Sequence, residues 1–239
     1  MRVALMRTCL SDLVAPTVAR SSRRVLEAAG IAVRVPRGQT CCGQPAWSSG
    51  HPEQARPVAR RALRAFRDCD ALVVPSGSCA AMVVHGYPQL FAGEPEEQQA
   101  LELAGKTFEF SQFLARHRLT PPAASGGTVT YHDSCHMLRM LGERDSPRAC
   151  LDDLGTVELR EMDRRETCCG FGGMFSLDFP EVSGKLGLDK ARDAAATGAD
   201  RLVACDLSCL LHITGCAHRH GIPLHARHLA ELIVEDALT

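Results

Sequence analysis

The sequence predicts an α/β fold made of two pseudo-repeated halves, each a small parallel sheet flanked by helices. Three observations carry this. Short apolar runs alternate with stretches whose apolar residues recur at helical spacing. The tripeptide Cys-Cys-Gly occurs twice, at 41–43 and at 168–170, and the landmarks around the first copy return around the second. Cys9 matches Cys135 at an offset of 126, the cysteine pairs match at 127, and Cys79 matches Cys209 at 130. Rare residues falling into step along a whole chain mark a duplication.

The elements follow in order. Val3 to Met6 is an apolar run and reads as the first strand. Val14, Val18, Val25 and Ala29 then recur on one helical face until Gly30 stops the helix, and Ile31 to Val35 gives a second strand. After the cysteine pair a helix opens near Pro52 and runs to about Phe66, and Ala71 to Val74 forms a third strand ahead of Cys79. The second half repeats the series with Thr128 to His132, a helix ending at Gly155, Thr156 to Arg160, the second pair, a helix from about Val182 to Ala196, and Arg201 to Ala204. Strands alternating with helices pair in parallel through right-handed crossovers, so each sheet is Rossmann-like. The Pro/Gly-rich stretch 119–127 reads as a linker between a first repeat at 1–118 and a second at 128–239.

Composition narrows the function classes. With 27 basic against 28 acidic side chains the formal charge is −1, so no bulk electrostatic partner is implied and a nucleic-acid-binding surface is not expected. Apolar runs such as Leu72-Val73-Val74 fall far short of the roughly 20 residues of a membrane span. The first residues, Met1-Arg2-Val3-Ala4-Leu5-Met6-Arg7, lack the apolar core of a secretory signal, so the expected compartment is the reducing cytoplasm. There the 12 cysteines read as metal ligands or catalysts rather than staples. Neighbouring cysteines have Cα atoms about 3.8 Å apart, below the usual disulfide range, so neither pair is expected to bridge itself.

The topology gathers these thiols. In a parallel sheet all strands point one way, and Cys9, Cys41, Cys42 and Cys79 each follow the C-terminal end of a strand. They converge at the edge where open α/β sheets place their sites. Cys135, Cys168, Cys169 and Cys209 converge likewise. The spacings, Cys-x31-Cys-Cys-x36-Cys and Cys-x32-Cys-Cys-x39-Cys, contain no Cys-x2-4-Cys knuckle of the kind a structural zinc takes. An iron-sulfur cluster offers several irons to adjacent thiolates and suits four of them, while a tight turn with core cysteines is the plain alternative. Gly43, Gly170, Gly172 and Gly173 let backbone N–H groups approach such a centre.

Four stretches carry a resemblance: Gln39-Thr40-Cys41-Cys42-Gly43-Gln44-Pro45-Ala46, Pro75-Ser76-Gly77-Ser78-Cys79, His132-Asp133-Ser134-Cys135-His136-Met137, and Cys168-Cys169-Gly170-Phe171-Gly172-Gly173-Met174-Phe175-Ser176. Through them the chain resembles the CCG-domain (cysteine-rich domain) proteins, whose motif of Cys, Cys-Cys-Gly and Cys-x-x-Cys occurs twice. One of the subunits of heterodisulfide reductase and the iron-sulfur subunit of glycolate oxidase belong there. The likeness runs end to end and is to short two-repeat members that serve lactate utilisation. It implies a cytoplasmic subunit of an L-lactate-oxidising oxidoreductase complex. Such a subunit holds one iron-sulfur cluster of the 4Fe-4S kind per half, and works with a larger iron-sulfur protein and a third subunit. The ligands implied are Cys9, Cys41, Cys42 and Cys79, then Cys135, Cys168, Cys169 and Cys209. The motif's closing Cys-x-x-Cys would need cysteine at Ser76 and Asp206, so its extra ligand is absent from both halves. Cys205 is the available substitute, or else an ordinary buried residue at a strand end. Two other readings stand beside this one. One is a self-sufficient redox enzyme acting on a disulfide or on another 2-hydroxy acid such as glycolate; the other is a zinc-bearing or purely structural subunit.

The remaining residues attract plainer expectations. Cys69, Cys150 and Cys216 have no counterpart in the repeat and read as core. His132, His136 and His212 flank ligand cysteines and are placed to donate to sulfide, relay protons or bind a carboxylate. Arg56, Arg60, Arg64 and Arg67 form a basic stripe, read as a solvated helix face before an acidic docking site. Trp47 and Tyr131 read as lid or core residues. No Gly-x-Gly-x-x-Gly loop marks a flavin or nicotinamide site.

Overall fold

Strands buried on both faces are continuous apolar runs, because helices cover each side of a parallel sheet. In the computed structural model, which describes residues 1–119 and 126–234, Val3–Leu5 (β1) and Ala71–Val74 (β3) are buried throughout and lie side by side. Val33–Arg34 (β2) pairs with the other edge of β1, and Thr107–Glu109 (β4) pairs with the other edge of β3. All four strands are parallel, in the order β2-β1-β3-β4. The second half repeats the plan with Gly127–Tyr131 (β5), Val157–Leu159 (β6), Arg201–Ala204 (β7) and Ala226–His228 (β8), all parallel, in the order β6-β5-β7-β8. The chain divides into two compact units, Met1–Leu119 and 120–239, each holding one sheet.

Each sheet has one strand more than the sequence predicts. Thr107-Phe108-Glu109 and Ala226-Arg227-His228 are three-residue edge strands with no apolar run to announce them. Each leads straight into a helix, and in each the last strand residue caps it. Glu109 accepts the N–H groups of Ser111 and Gln112, and His228 Nδ1 accepts that of Ala230 at 3.2 Å.

The long helices lie as read. Pro52–Phe66 starts on its proline and buries Ala55, Ala59, Ala62, Leu63 and Phe66 at spacings of three and four. Pro180–Ala196 buries Ser183, Gly187, Leu188, Lys190, Ala191 and Ala194. Lys190 is tolerated there because Nζ donates to the carbonyls of Arg164 (2.5 Å) and Arg165 (3.3 Å). The first helix is instead two, Cys9–Val14 and Thr17–Ala28, broken where Pro16 forces Ala15 out of helical geometry. In the second half a π-helical turn over His136–Leu141 and the helix Asp145–Asp152 take their place. The linker read at 119–127 falls mostly on residues 120–125, outside the described residues, and β5 already begins at Gly127. Among the described residues, no helix is long and apolar enough to cross a membrane.

Candidate metal centres

In each sheet the strand order reverses between its two central strands. The connections leaving them run to opposite sides and open a crevice at their C-terminal ends. Cys9 begins the helix after β1, Cys41 and Cys42 follow β2, and Cys79 lies in the short helix Gly77–Ala81 after β3. Cys135 follows β5, Cys168 and Cys169 follow β6, and Cys209 enters the helix Leu207–Arg219 after β7.

The thiols meet in pairs. In the first half Cys9 Sγ donates to Cys41 Sγ at 3.4 Å, and Cys42 Sγ to Cys79 Sγ at 3.4 Å. In the second half Cys169 Sγ donates to Cys209 Sγ at 3.1 Å, and Cys135 and Cys168 act on one another electrostatically. Burial follows the same scheme in both. The inner pairs Cys42/Cys79 and Cys169/Cys209 are buried, whereas Cys9, Cys41, Cys135 and Cys168 retain solvent contact. All eight predicted ligands are thus in two groups of four.

The glycines after the pairs shape these groups. Gly43 and Gly170 have φ of +90° and +88°, and their N–H groups donate to Cys41 Sγ (3.4 Å) and Cys168 Sγ (3.3 Å). With the neighbouring thiols donating as well, the Cys41 and Cys168 thiols are held well below the usual thiol range. Their partners Cys9 and Cys135, which supply those protons, are pushed up. Cys209 is drawn down to about 7 by Cys169 and, against the cost of burial, by His132. A thiol drawn toward its ionised form in each half favours a cation there. Tyr87 Oη donates to the Cys42 carbonyl at 3.0 Å and anchors the first pair from behind.

The flanking residues separate by role. His132 is fully buried, and its imidazole lies with Cys169 and Cys209 in a set whose ligand atoms are all within 4.8 Å of one another. His136 Nδ1 is 3.6 Å from Cys135 Sγ. His212 turns away from the ligands: its Nε2 meets the Ser183 carbonyl at 3.1 Å and Ser183 Oγ at 3.3 Å. Asp133, in the same motif as His132, is held by Arg148 at 2.9 and 2.8 Å and is structural. Asp206 Oδ2 accepts from Ser134 Oγ at 2.7 Å. Cys205 is fully buried after β7, and its carbonyl accepts from His228 Nε2 at 3.2 Å. Cys150 is buried, while Cys69 and Cys216 are only partly so. Tyr131 is buried, under the Arg148 guanidinium at 5.5 Å, and Trp47 is half-buried. The arginine stripe is not simply solvated. Arg60 pairs with Glu96 (2.8 Å) and Glu94 (3.4 Å), and Arg56 with Glu94 (3.6 Å), tying the helix to the segment beside it.

Sequence reasoning missed Ser183 and Tyr87, whose contacts to the pair loops join residues 13 and 45 apart and leave no local signal. A cavity of about 600 Å³ is lined by Ser183 and His212 together with Ser176, Lys185, Arg219 and His220.

Comparison with known proteins agrees with this duplication. The model of the cysteine-rich domain named CCG matches residues 3–84 and again 129–214. Lactate utilization protein A of Shouchella clausii is 42% identical over 236 residues, covering 98% of both chains. The proteins of that name from Halalkalibacterium halodurans (42%, covering 98% of this chain and 96% of the relative) and Geobacillus thermodenitrificans (41%, 98% of each) are similar to the same extent. Among solved structures, that of a hypothetical protein from Helicobacter pylori superposes with a TM-score of 0.68 at 9% identity. The match covers 98% of this chain and 48% of that one, so the chain spans about half the length of that protein and shares its fold.

Proposed function

The chain belongs to the CCG cysteine-rich domain family, and from that membership we propose that it is an iron-sulfur electron-transfer component of an L-lactate-oxidising system. The observation that carries the reading is the double convergence of four thiols, each group with a glycine N–H aimed at the first cysteine of its adjacent pair. A structural turn with core cysteines does not need the solvent-facing pair, and it would have to arise twice in register. The donor set fits a cluster: Cys9, Cys41, Cys42 and Cys79 in the first half, Cys135, Cys168, Cys169 and Cys209 in the second. Cys205, four residues before Cys209, is the reserve donor. A cluster of the 4Fe-4S kind in each half supplies one-electron steps. Cys42, Cys79, Cys169 and Cys209, which are buried, would hold it on the side away from water, and Cys9, Cys41, Cys135 and Cys168, which keep solvent contact, would hold it on the side toward the surface.

That exposed rim is where electrons enter or leave, and a larger iron-sulfur protein with a third subunit is the proposed source, in the cytoplasm. The test is anaerobic reduction of the purified complex by L-lactate, followed by the visible absorbance of this subunit. Reduction that needs both L-lactate and the partner proteins, and loses the second half's share in Cys168→Ser/Cys169→Ser, is expected; reduction of the complex without any change at this subunit refutes the proposal.

A second reading has one observation in its favour. The cavity with Arg219, His220, His212 and Lys185, the last paired with Asp189, presents cationic and hydrogen-bonding groups suited to the carboxylate of a small 2-hydroxy acid. If the isolated chain is reduced by lactate or glycolate, it is a redox enzyme in its own right.

A further inference from the structure

Met6 and His132 occupy equivalent places in the two halves. Each follows the first strand of its sheet, each lies three residues before the first cysteine, and each donates its backbone N–H to the third strand, Met6 to Val73 O at 2.9 Å and His132 to Val203 O at 2.8 Å. The duplication therefore puts a methionine behind one thiol group and an imidazole behind the other.

A buried histidine is ordinarily a satisfied core residue, and the chain provides that comparison. His228, equally buried, donates from Nε2 to Cys205 O and accepts at Nδ1 from Ala230 N. His212 is engaged by Ser183. His132 differs from both. It is fully buried, its ring nitrogens make no hydrogen bond of ordinary geometry among the described residues, and the group it acts on most closely is the Cys209 thiol. A buried imidazole with no well-formed hydrogen bond and only ligand sulfur at hand is a defect unless something fills the space beside it. Its ligand neighbours are sulfur, since the His132, Cys169 and Cys209 donor atoms all lie within 4.8 Å of one another. No other set of three such donors is this close among the described residues.

We propose that His132 is a nitrogen ligand of the metal centre in the second half. The two halves then hold chemically different centres: four thiols alone in the first, four thiols and an imidazole in the second. This rests on the reading of the thiol groups as iron-sulfur sites, and adds to it that the two sites are not interchangeable stations. A neutral imidazole nitrogen brings an iron a donor without the negative charge of a thiolate, so the two centres differ in potential.

The test uses the anaerobically prepared full chain in three forms. Unsubstituted protein labelled with ¹⁵N-histidine and enriched in ⁵⁷Fe is compared with Cys41→Ser/Cys42→Ser, which keeps the second centre, and with Cys168→Ser/Cys169→Ser, which keeps the first. Pulsed EPR of the reduced samples should find a histidine nitrogen strongly coupled to the second centre and none coupled to the first. Mössbauer spectra, which need no unpaired spin, should show one distinct iron in the second centre only. His132→Met, the residue the first half carries, should keep its sulfide and lose both signatures. An iron-loaded second centre without a coupled histidine nitrogen and with irons like those of the first overturns the proposal and leaves the iron-sulfur reading intact. Unsubstituted protein without iron or sulfide in the second half overturns both, and the elemental analysis distinguishes that failure from the other.

Discussion

Ser183 Oγ donates to the Gly170 carbonyl at 2.7 Å, and a Cβ on Gly170 would stand 2.5 Å from the Ser183 carbonyl oxygen. The loop that carries Cys168 and Cys169 thus lies directly against the helix Pro180–Ala196, and only glycine allows it. In the first half the corresponding approach is looser, with a Cβ on Gly43 standing 3.3 Å from the Ala55 carbonyl oxygen. Both glycines have positive φ, which alone costs an alanine about 1–2 kcal/mol. Gly170→Ala is therefore expected to lose the second centre outright, because backbone must move. Gly43→Ala should weaken the first centre and retain most of its iron. Iron per chain and thermal midpoint for the two variants check the ranking, and equal losses would contradict it.

Arg148 grips Asp133 with two hydrogen bonds, at 2.9 and 2.8 Å, and Glu161 with two more, at 2.6 and 3.1 Å. The Asp133 side chain is 1% exposed, so removing its partner leaves a buried carboxylate uncompensated. Arg148→Ala should destabilise the second unit by about 3–5 kcal/mol. Adding Asp133→Asn should restore part of that loss, as denaturant unfolding will measure.

Asp70 and Asp200 hold the same place in the two repeats. Asp70 accepts from the Arg2 N–H at 2.6 Å, and Asp200 from the Thr128 N–H at 2.8 Å, so each ties the start of the first strand to the start of the third. These backbone bonds, followed by the side-chain bonds to Arg2 and Thr128, lower both carboxyl pKa values when folded. A carboxyl lowered by folding adds stability that is complete above its unfolded pKa, about 3.9, and is lost as pH falls through the folded value. Asp70→Asn/Asp200→Asn should therefore be less stable than the parent at neutral pH and converge on it in acid once both carboxyls are protonated in the folded protein. A stability difference that persists unchanged in acid would contradict the assignment.

Much of this was readable in the residues. Val3–Leu5, Ala71–Val74 and Arg201–Ala204 are apolar runs, and the 12 cysteines are rare enough for their offsets to expose the duplication and the crevice. The edge strands Thr107–Glu109 and Ala226–His228 were hidden because three mixed residues make no pattern. The π-helical turns at Met82–Gly86 and His136–Leu141 were hidden because apolar spacing does not distinguish them from ordinary helix. The sequence singled out His132 only as a neighbour of Cys135. Its equivalence to Met6 and its lack of a well-formed hydrogen bond depend on strand register and burial, which a linear reading does not hold.

The most direct measurement is iron and acid-labile sulfide per chain in anaerobically purified protein, for the unsubstituted chain and for Cys41→Ser/Cys42→Ser and Cys168→Ser/Cys169→Ser. Two separate centres require that each double variant lose the share of iron and sulfide belonging to its own half and keep the other. Full retention of both elements in either variant, or zinc without sulfide in the unsubstituted chain, would contradict the assignment of the thiol groups as iron-sulfur sites.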